Sequence, residues 1–251
     1  MSEQPRSGPL AVRGGLLWTA IQELVEAATT RRVGEELRVL DLGGGTGGLA
    51  VPIAELGHRV TVVDPSPDAL AALNRRAAER GVDERIRAVQ GDAHDLLDHV
   101  ESGTVDIVLC HGVLEVVDDP DEALETIRAA MHPSGALSVV VAGRYAAVLA
   151  KAMAGHLSEA RTLLETPPSA LPSPGSRRRR YTPDEVAALL RAHNFTPDRV
   201  QAVRMFADLV PSAVSDVEPG ASRALLELEE AVAEVSAFAA VAAQLHVVAS
   251  R

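Results

Sequence analysis

Apolar and polar positions in this chain alternate between two periods, and the alternation predicts the fold class. From Gly14 to Arg32, Leu16, Leu17, Ala20, Ile21, Leu24 and Ala28 recur at helical spacing, which predicts an amphipathic leading helix after a loose start over residues 1–12. Short apolar runs at 37–42, 58–64, 85–92, 104–112 and 136–142 predict five strands. Helical stretches lie between them. Ser66 before Pro67 and Asp119 before Pro120 are helix-start signatures, and Gly57 and Gly81 are stops. His132 to Gly135 reads as a turn. Strands alternating with helices at this spacing imply a parallel sheet covered on both faces. The ligand crevice then lies at the carboxyl ends of the strands.

The pattern changes after Gly143. Tyr145 to Leu164 reads as one helix and Thr166 to Ser176 as a proline- and serine-rich loop. A basic run, Arg177, Arg178, Arg179 and Arg180, precedes Thr182-Pro183-Asp184-Glu185, which fits a capping box. Arg199 to Ala207 reads as a strand. Ser222 to Val235 reads as a helix with Leu225, Leu228, Val232 and Val235 on one side, and Gln244 to Ser250 as a closing strand. The chain therefore divides into an N-terminal helical segment (1–32), an α/β core (33–143), and a cap insertion with C-terminal completion of the sheet (144–251).

Composition narrows the function classes. No apolar run reaches the roughly 18 residues that span a membrane, and residues 1–9 lack the apolar core of a signal peptide. A single cysteine, Cys110, excludes an internal disulfide framework and fits a reducing cytoplasm. The net charge of −11 opposes broad nonspecific nucleic-acid binding but leaves room for a local basic patch. With 2% aromatic residues, an extensive face of base-stacking platforms is excluded.

The chemistry concentrates in Arg38 to Gly48, a buried strand that stops in glycines and restarts as a helix. Gly43, Gly45 and Gly48 satisfy the G-x-G-x-x-G spacing, a weak signal alone. A dinucleotide would place a pyrophosphate against this turn, and Asp41 would repel it. S-adenosylmethionine carries a sulfonium and an ammonium and no phosphate, so an acid before the glycines attracts it. Asp64, ending the second strand, would then accept from both ribose hydroxyls. Asp92, Ala93 and His94 would lie beside the adenine. A short-chain dehydrogenase would need Tyr-x-x-x-Lys, and Tyr145 and Lys151 have the wrong spacing. His94, Asp95, Asp98 and His99 match no strong metal-ligand motif and read as a polar helix face, so no metal is expected.

The segment Asp41 to Gly47, Asp64, and Gly91-Asp92-Ala93 resemble the cofactor motifs of the class I S-adenosylmethionine-dependent methyltransferases. The resemblance implies a Rossmann-like α/β fold, with a mixed seven-stranded sheet, helices on both faces and a C-terminal cap insertion. A narrower resemblance is to the bacterial tRNA 5-carboxymethoxyuridine methyltransferases, which esterify the carboxylate of a modified wobble uridine. It rests on Arg13 ahead of Leu16-Leu17-Trp18, on His111 to Glu115, and on Asp119-Pro120. It continues through the basic run, Val203 to Phe206, Leu225 to Glu229, and Leu245 to Val247. It implies cofactor contacts at Arg13, Gly43, Gly44, Asp64, Ala93, His94 and His111; the residue chemistry adds Asp41, Gly45 and Asp92. Four sites depart from that family's pattern: Val116 stands for tryptophan, Ala142-Gly143 for tyrosine-asparagine, Ala207 for histidine and Leu209 for tyrosine.

These readings predict a cytoplasmic methyltransferase acting by in-line displacement, with a carboxylate, on tRNA or elsewhere, as acceptor. An anionic acceptor needs no base. For an alcohol or amine, His111 is the candidate base, and otherwise it hydrogen-bonds the cofactor or ends its strand. Cys110, its neighbour, points to the opposite face and belongs to the core. Arg144, Arg177, Arg178, Arg179, Arg180 and Arg204 are the candidates for holding substrate anions. The missing aromatics motivate a small-molecule methyltransferase as the alternative. A cofactor-binding or RNA-binding module without turnover is the third reading. The sequence carries no statement of oligomeric state.

Overall fold

The computed structural model describes residues 9–168, 178–210 and 220–251, with side chains from residue 15 onward. A leading helix α1 (Pro9–Arg31) is followed by β1 (Arg38–Leu42), α2 (Ala50–Glu55), β2 (Arg59–Asp64), α3 (Pro67–Arg80) and β3 (Ile86–Gln90). Next come α4 (Leu96–His99), β4 (Val105–His111), α5 (Pro120–Ala130), β5 (Met131–Ala142), α6 (Arg144–Met153) and α7 (Leu157–Glu165). The chain closes with α8 (Pro183–Ala192), β6 (Thr196–Val203), α9 (Ala221–Val232), α10 (Ser236–Val241) and β7 (Gln244–Ser250). Among the described residues, no helix is long and apolar enough to cross a membrane.

The seven strands form one sheet in the order β3-β2-β1-β4-β5-β7-β6. The pairs β1–β2, β1–β4, β2–β3 and β4–β5 are parallel, while β7 runs antiparallel to both β5 and β6. The order reverses between β1 and β4, so the first two crossovers cover one face and later ones the other. This switch point opens a crevice at the strand ends. Each face buries its own apolar cluster. Leu37, Val39, Val62, Ile107 and Leu109 face α1, α2 and α3, whereas Leu40, Leu42, Val108, Cys110, Val139 and Val247 face the other helices. Cys110 is fully buried, and burial pushes its thiol up to about 12, which leaves it an inert core residue.

The capping signals act as the sequence predicts. Ser66 Oγ accepts from Ala69 N, Asp119 accepts from the N–H groups of Asp121 and Glu122, and Thr182 and Glu185 form a reciprocal capping box. The predicted closing strand matches β7 residue for residue.

Five expectations need correction. The helix predicted from Gly14 begins at Pro9, so residues 9–12 are not loose. The predicted turn at His132 to Gly135 is absorbed into β5, where the register jumps from Val105↔Met131 to Ile107↔Ala136 and leaves 132–135 as a bulge. The single helix over 145–164 is two, α6 and α7, broken at Gly155 with φ +80°. The strand predicted at Arg199 to Ala207 begins at Thr196 and stops at Val203, because Arg204 takes the left-handed φ of +59°. The helix predicted to Val235 stops at Val232. Leu228 and Val235 are exposed, and the side chain buried beside Val232 is Glu229. The predicted loop at 166–176 lies mostly outside the described residues.

Glu229 explains that burial. Its carboxylate accepts from the N–H groups of Met205, Phe206 and Ala207 at 2.8–2.9 Å, holding the turn that leaves β6. Three charge-assisted bonds offset the cost of burying the acid. Glu229→Ala strands three donors and is expected to lower stability by about 2–4 kcal/mol. A urea unfolding midpoint equal to that of the wild type would contradict this anchoring role.

Candidate active site

The strand ends at the switch point enclose a cleft of about 490 Å³, within the size range of small-molecule sites. Its floor is Leu42, Gly43 and Val63; Ala93 and Val113 form apolar walls, and Val116 and Val117 sit at one side. Five carboxyl-bearing residues also line it: Asp64, Asp92, Asp118, Asp119 and Glu122. Such a lining favours a ligand that carries positive charge.

The glycine loop is shaped by what lies under it. Gly43 has φ +71°, and a Cβ there would come within 2.7 Å of Val113 Cγ2. A Cβ on Gly44 would stand 2.4 Å from Asp41 Oδ2. Asp41 is only 3% exposed and lies beneath the loop, not in the cleft lining. Burial, with the nearby Asp64 charge, pushes its carboxyl up to about 7. Asp41 therefore acts on the cleft through the loop it supports, whereas the sequence pattern suggested direct attraction of the ligand. Gly44 and Gly45 likewise lie outside the lining.

Asp64 ties the loop down. Its Oδ2 accepts from Gly45 N at 2.8 Å and its Oδ1 from Ser66 N at 2.9 Å. A carboxylate offers about four acceptor sites, so two remain for the hydroxyls of a ribose. Asp92 is exposed and accepts from His94 N at 2.8 Å; His94 Nδ1 lies 2.9 Å from Glu122 Oε1. Ala93 is buried between them. The cradle that excludes a Cβ, the free acceptor capacity of Asp64 and the acidic lining fit S-adenosylmethionine.

His111, at the end of β4, lines the cleft and places Nε2 2.8 Å from Ser138 Oγ. Burial, with His246 beside it, pulls its imidazole down to about 3. It is neutral at physiological pH and a weak base.

Most of the candidate arginines serve the protein itself. Arg179 is buried and donates to the carbonyls of Val117 and Asp118, and its own N–H donates to Glu115 O at 2.8 Å. With Tyr181, whose hydroxyl donates to Leu114 O at 3.0 Å, it clamps the segment that lines the cleft. Arg144 is buried and paired with Glu185 at 2.8 Å, which joins α6 to α8. Arg204 pairs with Asp208 at 2.6 Å. Each of the three thus already has a partner within the protein. Arg178 is exposed, 3.7 Å from the buried Glu115, and Arg180 is half-buried beside it. Arg177 and the side chain of Arg13 lie outside the described residues; the backbone of Arg13 is in α1.

The sequence reading missed Asp118, Asp119 and Glu122 as cleft residues. Asp119 registered as a helix start and as part of the resemblance, without a place in the cleft, yet that start follows strand four, where a crevice residue is expected.

The fold favours protonated Asp41. Its stabilising contribution is present below about 4, its unfolded range, and is lost as pH rises towards about 7. Asp41→Asn should therefore gain about 2 kcal/mol on the wild type between pH 5 and pH 8 in cofactor-free protein. Urea unfolding at the two pH values checks it; parallel pH dependences for the two proteins would contradict it.

Residues 39–135 match the family model for a methyltransferase domain. The tRNA 5-carboxymethoxyuridine methyltransferase of Escherichia coli K12 is 27% identical over 96% of this chain and 88% of its own. A ubiquinone biosynthesis O-methyltransferase of Caulobacter sp. K31 is 38% identical over 48% of this chain and 47% of its own. A geranyl diphosphate methyltransferase in complex with SAM superposes with a TM-score of 0.60 at 16% identity, covering 98% of this chain and 92% of that one. The plantazolicin methyltransferase BamL superposes with a TM-score of 0.59 at 15% identity, covering 93% and 84%. At these identities the two structures speak for the fold alone. With the acidic cleft, the glycine cradle and the methyltransferase-domain match over residues 39–135 in agreement, this chain is an S-adenosylmethionine-dependent methyltransferase.

Proposed function

We propose that this methyltransferase esterifies a carboxylate, and that the carboxylate belongs to 5-carboxymethoxyuridine at the wobble position of tRNA in the cytoplasm. The observation that carries this reading is the reach of the similarity. The tRNA enzymes match 96% of the chain, including the cap and the last strands, whereas the ubiquinone enzymes match 44–55% of it. The part of a methyltransferase outside its cofactor core is where acceptors are chosen.

The chemistry of the cleft agrees. When bound, S-adenosylmethionine supplies an electrophilic methyl group on a sulfonium. Asp64 would hold the ribose, Gly43 would leave room for the backbone to approach, and Ala93 and Val113 would exclude water from the apolar surface. A carboxylate acceptor is already an anion at neutral pH and needs no proton removed. His111, held neutral and weakly basic, suits that requirement. What the chain contributes is alignment of acceptor and donor, a proximity effect. Arg178 and Arg180, on either side of the Arg179 clamp, are the cations we assign to an anionic acceptor.

One observation favours a second reading, a small hydroxyl-bearing acceptor. Val116 is 50% exposed beside the cleft, at a position where the tRNA family carries a stacking tryptophan. The acids in the lining also oppose a polyanion.

Incubation with labelled S-adenosylmethionine and tRNA bearing unesterified 5-carboxymethoxyuridine, then nucleoside analysis, separates the two. The expected product is the methyl ester of that nucleoside. Transfer to small phenols with none to tRNA would overturn the tRNA reading in favour of the second.

A further inference from the structure

Five side chains form one hydrogen-bonded line from the cleft to the far edge of the sheet. His111 Nε2 is 2.8 Å from Ser138 Oγ, and Ser138 Oγ is 2.8 Å from His246 Nε2. His246 Nδ1 is 3.1 Å from Gln201 Oε1, and Gln201 Nε2 is 3.2 Å from Glu234 Oε1. The register explains the alignment. Val140 on β5 stands opposite both His111 and His246, Ser138 is two residues along the same strand, and His246 stands opposite Gln201. Residues two apart on a strand share a face, so all four strand positions point to the same side. Ser138, His246 and Gln201 are buried.

The direction of each bond follows from the far end. Glu234 is a carboxylate that also accepts from Arg199 Nη1 at 2.9 Å, and a carboxylate only accepts. Gln201 must therefore turn its amide nitrogen to Glu234 and its oxygen to His246. An amide oxygen only accepts, so the ring hydrogen of His246 is on Nδ1. Burial pulls His246 down to about 4, and a neutral imidazole has one ring hydrogen, so its Nε2 accepts from the hydroxyl of Ser138. That hydroxyl has no second hydrogen to give. Its oxygen accepts from His111, whose hydrogen is thus on Nε2. His111 Nδ1 keeps its lone pair and has no hydrogen-bond partner among the described residues.

We propose that Ser138 and His246 are positioning residues that fix His111 as its Nε2–H tautomer, so that Nδ1 accepts a hydrogen bond from an N–H or O–H group of the cofactor. Nδ1 of this tautomer recognises a donor and rejects a carboxylate, which has nothing to give. His111 so held selects for the cofactor and leaves the acceptor anion to other groups. The inference rests on the cleft binding S-adenosylmethionine and not on the identity of the acceptor.

Ring-¹⁵N-labelled histidine in the full chain, read by long-range proton–nitrogen correlation, tests it, with His111→Gln assigning the signal. The wild type should show protonated Nε2 and bare Nδ1 at His111. Adding S-adenosylhomocysteine should shift the Nδ1 resonance. 5′-Methylthioadenosine, which lacks the ammonium, separates the donors: a shift with both ligands assigns a hydroxyl, and a shift with the first alone assigns the ammonium. Ser138→Ala should mix the tautomers and weaken S-adenosylhomocysteine binding about tenfold, the worth of one hydrogen bond; Ser138→Thr should restore both. Protonated Nδ1 in the wild type, or ligand binding by calorimetry with Nδ1 unmoved, would overturn the inference alone. Absence of any heat of binding would overturn the cofactor assignment and the inference with it.

Discussion

The site depends on two aspartate side chains that hold a glycine turn from below and from the side. Asp41 fills the space under Gly44, where no Cβ fits, and Asp64 takes the N–H of Gly45 and of Ser66. The turn is therefore fixed to the end of β2 and to the start of α3 at once. Everything that lines the cleft is placed relative to it: Gly43 against Val113, Asp64 at the mouth of β2, His111 at the end of β4. Since the loop keeps its shape through backbone contacts, the apolar walls can be small. This fits a chain with few aromatic residues, in which Leu42, Gly43, Val63, Ala93 and Val113 line the cleft.

The opposite wall is held by the cap. The run of arginines looks from composition like an anion-binding patch, but Arg179 and Tyr181 reach the carbonyls of Leu114, Val117 and Asp118 instead. A guanidinium that satisfies two backbone carbonyls fixes a segment that has no strand partner of its own. The cap thereby shapes the cleft, and among the described residues none of its side chains lines it. Arg144 does similar work by pairing with Glu185 between α6 and α8. Cofactor core and cap are thus joined by the bonds that Arg179 and Tyr181 make to residues 114–118.

The parts of this arrangement that are local in sequence were legible in it. Strand runs, proline and aspartate caps, and the glycine turn are set by neighbours within a few residues, and they appear where the pattern puts them. Gln244 to Ser250 was legible because its short apolar run, with Leu245, Val247 and Val248, carries no competing helical period. The errors arose where a distant partner decides the outcome. The apolar spacing of its helix gives no reason to bury Glu229, because the three N–H groups it serves lie in the turn after β6. Arg144, Arg179 and Arg204 looked like free cations because their acceptors lie elsewhere in the chain or, at Asp208, across an irregular turn. Asp41 stands out in sequence as an acid before the glycines, but sequence gives no depth, and its place under the loop needs the fold. The line from His111 to Glu234 joins strands far apart in sequence, and no spacing rule would assemble it.

The central claim is that Asp64 and the glycine turn receive the adenosine half of a cationic cofactor. A crystal structure with S-adenosylhomocysteine tests it most directly. The account predicts both ribose hydroxyls on Asp64, with its bonds to Gly45 and Ser66 retained, and the adenine beside Asp92 and Ala93. A nucleoside bound away from Asp64, or a glycine turn rebuilt to admit it, would contradict the account.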